Sequence, residues 1–122
     1  EMQNVLISDG CCINKATIDH CVIGIRSQIQ QGTLLKDTVL MGMDYYEPRA
    51  GRPPTNVPLG IGRNCHIEGA LIDKNPRIGE NVVIKPFPLG TEMDRNDWYV
   101  RDGIVVIPKS TEIPAGTVIQ PE

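Results

Sequence analysis

Aliphatic residues recur every five or six positions through most of this chain, and that period excludes most folds at once. The clearest run is 61–84, IGRNCHIEGALIDKNPRIGENVVI, in which Ile61, Ile67, Ile72, Ile78 and Ile84 mark the steps. Two of them open the same phrase, Ile61-Gly62-Arg63-Asn64 and Ile78-Gly79-Glu80-Asn81. A helix repeats every 3.6 residues and a strand every two, so neither fits; a strand of about four residues followed by a two-residue corner does. In that reading the aliphatic at position i points inward, and so does the residue at i+4, here Cys65, Leu71 and Val82. Gly at i+1 and Asn at i+3 fall near the corner, where these two residue types adopt positive φ at low cost. The period predicts a β-helix of hexapeptide rungs.

The same ladder occupies the first third of the chain as Ile7, Ile13, Ile18, Ile23, Ile29, Leu35 and Met41, with Cys11, Thr17, Val22, Ser27, Thr33 and Val39 at i+4. It stops at Gly42, resumes at Ile61, stops again after Ile84 and returns in Ile107, Ile113 and Ile119, with Thr111 and Thr117 at i+4. The two interruptions, near 42–60 and 85–106, carry a Pro- and Gly-rich segment with a Tyr pair, and then the only Trp and Phe. They read as insertions leaving and rejoining corners of one domain spanning 1–122. Counting each insertion with the step that holds it gives fifteen rungs, or five three-sided turns, more than the roughly three repeats such a stack needs. With one Phe, one Trp and three Tyr, the core must be aliphatic and arranged in thin layers. Tyr45, Tyr46, Trp98 and Tyr99 are expected to cover the sides or ends of the coil, or to meet another domain.

A net charge of −3 gives no global attraction to nucleic acid or to an anionic membrane, so any anion site must be local. No apolar run is long enough to span a bilayer and no signal-peptide pattern is visible, which points to a soluble, cytoplasmic protein. The chain begins at Glu1 without an initiator Met, as a piece of a longer protein would. Cys11, Cys12, Cys21 and Cys65 lack paired C-x-x-C spacing and read as buried thiols rather than zinc ligands. Walker, dinucleotide-binding, zincin and nucleophile-elbow motifs are all missing. His20, at i+2, and His66, at i+5, face outward with no identifiable catalytic partner. Asp94 with Asp97, and Asp44 with Glu47, lie in the insertions without specific spacing.

The lysines say more. In a three-sided coil the rung of Ile72 stacks against that of Ile107, so Lys74 and Lys109, both at i+2, lie one strand spacing apart, about 4.8 Å. At that separation two ammonium groups repel by roughly 0.8 kcal/mol even in bulk water, and an anion between them would reverse the sign. The column reads Asp9, Ile25, Met43, Lys74, Lys109, with no carboxylate beside the lysines and with Ile25 and Met43 facing outward. Arg77 and Arg101 are near in sequence and would add to a basic cluster. From the column alone the pair either splays into water or holds an anion.

Several phrases carry a family resemblance: Val22-Ile23-Gly24-Ile25-Arg26-Ser27; Leu40-Met41-Gly42-Met43-Asp44-Tyr45-Tyr46; Gly60-Ile61-Gly62 with Cys65-His66-Ile67; Ile72-Asp73-Lys74-Asn75 with Arg77-Ile78-Gly79; and Arg101-Asp102-Gly103-Ile104-Val105-Val106. In order and spacing, across nearly all of the chain, they resemble the carboxy-terminal domain of the ADP-glucose pyrophosphorylase (glucose-1-phosphate adenylyltransferase) family, cyanobacterial and plant type. The resemblance implies an all-β, left-handed parallel β-helix, against the usual right-handed crossover preference. It places catalysis in an amino-terminal nucleotidyltransferase domain absent from these residues, which joins ATP and glucose 1-phosphate, with magnesium, into ADP-glucose and pyrophosphate. No cofactor is implied for the β-helix domain itself.

The implied partners are that catalytic domain, identical or sister subunits of a tetramer, and a phosphorylated effector; the location becomes a plastid if the source is a plant or alga. Lys74 and Lys109 match the family's two activator-site lysines, with Arg77 and Arg101 as weaker candidates. At the second insertion this chain reads Lys85-Pro86-Phe87-Pro88-Leu89-Gly90 where cyanobacterial and plant members usually carry an Asn-Lys-Asp-Asn-type run. The effector is therefore left open between 3-phosphoglycerate, antagonised by phosphate, and the fructose phosphates of other bacterial groups. The alternatives from other classes are a free-standing hexapeptide acyltransferase and a purely structural oligomerisation module.

Overall fold

The rungs stack because the inward aliphatics line up in three columns. A computed structural model describes residues 1–46 and 57–122, and within these every element is a short strand. Parallel pairing puts Ile7, Ile23, Leu40, Ile72 and Ile107 in register on a first face. Ile13, Ile29, Ile61, Ile78 and Ile113 share a second face. Ile18, Leu35, Ile67, Ile84 and Ile119 share a third. The chain visits the three faces in turn, so these columns are the five three-sided turns that the period predicts. The strand Thr17–Ile23 bends round a corner and thereby joins the third face to the first in one continuous sheet. Apart from Ile7 and Ile13 at the amino-terminal end, the column residues are all almost fully buried, each worth about 1.5–3 kcal/mol of apolar burial.

The register departs from the sequence expectation in an instructive way. The rung residue of the first face's third turn is Leu40, 1% exposed, and not Met41, which is 43% exposed. The small inward residues of the five-residue steps are Ala16, Cys21, Thr38 and Ala70, whereas Thr17, Val22, Val39 and Leu71 point out or lie at the surface. The constant is the distance to the next rung: the small inward residue always comes two positions before the next aliphatic, since Ser27, Thr33, Cys65 and Val82 in the six-residue steps obey the same rule. A five-residue step shortens the corner and leaves the strand entry intact. Immediately before these inward residues the backbone turns left-handed, at Lys15, His20, Arg26, Asp37, Asn64 and Asn81. Asn at i+3 is thus a corner residue, as expected.

Gly at i+1 has a different cause. Gly24, Gly62 and Gly79 do not have positive φ. A Cβ on Gly62 would lie 2.7 Å from the Gly79 carbonyl carbon, and one on Gly24 would lie 2.1 Å from the Met41 carbonyl oxygen. Glycine is there so that one rung's backbone can press against the next.

The insertions behave unlike each other. Past Gly42, Met43 is buried and its N–H donates to Ile25 O at 2.8 Å, so the expectation that Met43 faces outward does not hold. Tyr46 then reaches up the corner, its hydroxyl donating to Gly10 O at 2.9 Å. The remainder of the first insertion, with Glu47, lies outside the described residues. The second carries an antiparallel arm, Met93–Asp94 and Tyr99–Arg101 laid against Ile104–Ile107, and the coil is back in register at Val105, paired with Ala70. Phe87, Met93 and Trp98 pack against the core near the last rung, with the Phe87 and Trp98 rings 6.3 Å apart. Trp98 therefore covers the coil.

Candidate functional site

The lysine corner forms where the first face turns toward the second. Pairing of Ile72 with Ile107 carries forward to the corner, where Ser110 N–H donates to Lys74 O at 2.8 Å and Asn75 N–H donates to Gly42 O at 3.1 Å. The stacked column is thus Asp9, Ile25, Gly42, Lys74, Lys109, with Lys74 and Lys109 on successive rungs as expected. The one-residue shift at Leu40 puts Gly42 in the place assigned to Met43.

That shift also brings in a carboxylate that the column did not contain. Asp44 follows Met43, and its Oδ1 accepts from Lys74 Nζ at 3.3 Å. Asn75, buried and left-handed with φ 58°, clamps it: the Asp44 N–H donates to Asn75 Oδ1 at 2.8 Å and Asn75 Nδ2 donates to Asp44 Oδ2 at 3.0 Å. The hydrogen bond donated by the Asn75 side-chain amide, then the hydrogen bond and charge of Lys74, hold the Asp44 carboxyl below its ordinary range, and the charge of Lys109 pulls in the same direction. The expectation of a lysine pair with no neighbouring carboxylate is therefore corrected.

Arg77 and Arg101 each have a partner of their own. Arg77 is buried in the strand Arg77–Ile78 of the second face, and its Nη1 donates to Val57 O at 3.0 Å. Arg101, in the antiparallel arm, binds Asp94 at 2.8 Å and lies over the Tyr99 ring at 4.8 Å. Its hydrogen bond to Asp94 pushes the guanidinium further up.

The histidines are outward, as expected. His20 pairs with Asp37 at 2.7 Å on the exposed corner. His66 Nε2 lies 2.6 Å from Glu68 Oε1 and 3.1 Å from Lys85 Nζ. An ionised carboxylate only accepts, so Nε2 carries the proton to Glu68, and the ammonium is left with Glu68 Oε1 at 3.5 Å. Asp19, Lys36 and Glu68 stack in register along this edge, alternating in sign. The hydrogen bond from His66, then Lys85, holds the Glu68 carboxyl below its ordinary 4.5. A lowered acid stabilises the fold fully above the unfolded value and loses that contribution as pH falls through the folded one. Thermal scans below pH 4.5 should therefore show a shallower acid-side loss of Tm in Glu68→Gln than in the parent; parallel curves would mean the cluster contributes nothing.

Of the cysteines, Cys21 and Cys65 are buried, and burial pushes both thiols up, away from reactivity. Cys11 is half-buried and Cys12 is exposed on the edge strand of the second face, so the expectation of four buried thiols holds for two. Among the described residues no group of three or more His, Cys, Asp or Glu is placed to hold a metal ion.

A three-sided coil of short parallel strands, with a small inward residue two positions before each rung aliphatic, defines a hexapeptide-repeat β-helix. Residues 1–118 match the family described as the GLGC left-handed parallel β-helix domain, and the chain belongs to that family. It is 41% identical over 125 aligned positions to the glucose-1-phosphate adenylyltransferase small subunit, chloroplastic/amyloplastic, of Triticum aestivum. The alignment takes in 98% of this chain and 26% of that protein, so the chain spans about a quarter of its relative's length.

Proposed function

We propose that this chain is the regulatory and assembly domain of a glucose-1-phosphate adenylyltransferase acting in glycogen or starch synthesis. The enzyme makes ADP-glucose and pyrophosphate from ATP, with its magnesium, and glucose 1-phosphate in a separate catalytic portion, and the β-helix alone turns nothing over. The observation that carries the regulatory part is the stacking of Lys74 on Lys109 at an exposed corner. A phosphorylated effector held there offsets the like charges of the two lysines. By favouring one arrangement of the two domains, it shifts the population toward the active state.

The assembly part is supported by the outward column of the first face. Leu6, Val22, Val39, Leu71 and Val106 stand directly over one another, an apolar stripe about 19 Å long at the usual strand spacing. Such a stripe suits a face covered by the catalytic domain or a neighbouring subunit.

In the full-length enzyme, Lys74→Ala and Lys109→Ala should each raise the activator concentration for half-maximal stimulation about tenfold, the usual scale for a lost hydrogen bond to a charged group. Steady-state assays across an activator titration read this directly. If activated and unactivated turnover instead fall in proportion, the lysines serve the fold or the assembly and the effector reading is wrong.

A further inference from the structure

We propose that Asp44 is the resident counter-ion of the lysine corner, and that an anionic effector binds there by displacing its carboxylate. This rests on the reading of Lys74 and Lys109 as an effector site and adds the residue that sets its threshold and charge preference.

Three observations converge on it. The carboxylate is aimed, since the Asn75 side chain accepts from the Asp44 backbone N–H and donates to Asp44 Oδ2, which leaves Oδ1 turned to Lys74. Both lysine charges act on it, because Lys74 and Lys109 each draw its protonation equilibrium down. The Asp44 and Lys74 side chains are each 43% exposed, so solute anions reach the pair without the coil opening. An exposed single ion pair is weakly held, whereas a dianion accepting from two ammonium groups gains charge-assisted bonds to both. A monoanion merely replaces one carboxylate charge with another and gains little. With Asp44 in place the corner therefore selects phosphate monoester dianions over monoanions of similar size. The order of events follows: the effector engages Lys74 and Lys109, Asp44 swings from Lys74, and the segment leaving the coil after Gly42 loses that tether.

The test is anion binding by the full-length enzyme, measured by calorimetry with inorganic phosphate, 3-phosphoglycerate and acetate. Asp44→Asn keeps the size of the side chain and its reach to Asn75 while removing the charge. It should tighten phosphate and 3-phosphoglycerate binding on the order of two- to fivefold, and should tighten acetate binding by a larger factor, so that the preference for the dianions narrows. Asp44→Ala, which also drops the amide contact, should move affinity in the same direction. Unchanged or weaker dianion binding in both variants, with Lys74→Ala/Lys109→Ala still impaired, overturns the counter-ion role alone. Wild-type binding in the double lysine variant overturns the effector reading and the counter-ion with it.

Discussion

Leu40→Ala should lower the stability of the protein by about 2–5 kcal/mol, while Met41→Ala should change it by about 0.5 kcal/mol or less. Leu40 is 1% exposed and lies in register between Ile23 and Ile72. Truncation leaves a cavity that cannot close, because the backbone is pinned from both sides: Gly24 N–H donates to Leu40 O at 2.7 Å and Met41 N–H to Ile72 O at 2.9 Å. Met41 points to solvent from the next position. Urea unfolding at constant m-value separates the two variants, and the opposite ranking would move the rung by one residue and with it the whole corner that carries Asp44.

Gly24→Ala should be of similar severity, about 3 kcal/mol or more, at or above the upper end for overpacking. The new methyl would meet Met41 O, Met41 C and Gly42 N at 2.1, 2.3 and 2.7 Å, all main-chain atoms that cannot rotate away. Relief requires separating two rungs that share a hydrogen bond. Gly116→Ala is the informative contrast: nothing lies within 4 Å of its Cβ, and only its φ of +80° opposes the change, a penalty of about 1–2 kcal/mol. If the two alanine variants unfold at the same denaturant concentration, contact between rungs does not explain the glycine at i+1.

The coil was legible because five aliphatics per face recur with almost no competing signal, and any step of five or six residues returns the chain to the same face. The stacking of Lys74 on Lys109 was legible for the same reason, since parallel in-register pairing carries an offset of two from one rung to the next. What the pattern did not reveal is local. A step of five between Leu35 and Leu40 and a step of six to Met41 are both compatible with an aliphatic ladder, and only packing chooses between adjacent Leu and Met. Asp44 reaches Lys74 because of that one-residue difference together with the left-handed turn at Asn75, and neither is written in the spacing. The role of glycine at i+1 was hidden too, because a close approach between rungs and a positive φ leave the same letter in the sequence.

The placement of the small inward residue two positions before each aliphatic has a further consequence. In a flat sheet, losing one residue turns every later side chain to the opposite face. In this coil the loss or gain is absorbed at the corner, as the five- and six-residue steps within the same columns already demonstrate. Register is kept by the rung and not by the residue count, so related chains are free to differ in length at nearly every corner while their walls remain superimposable.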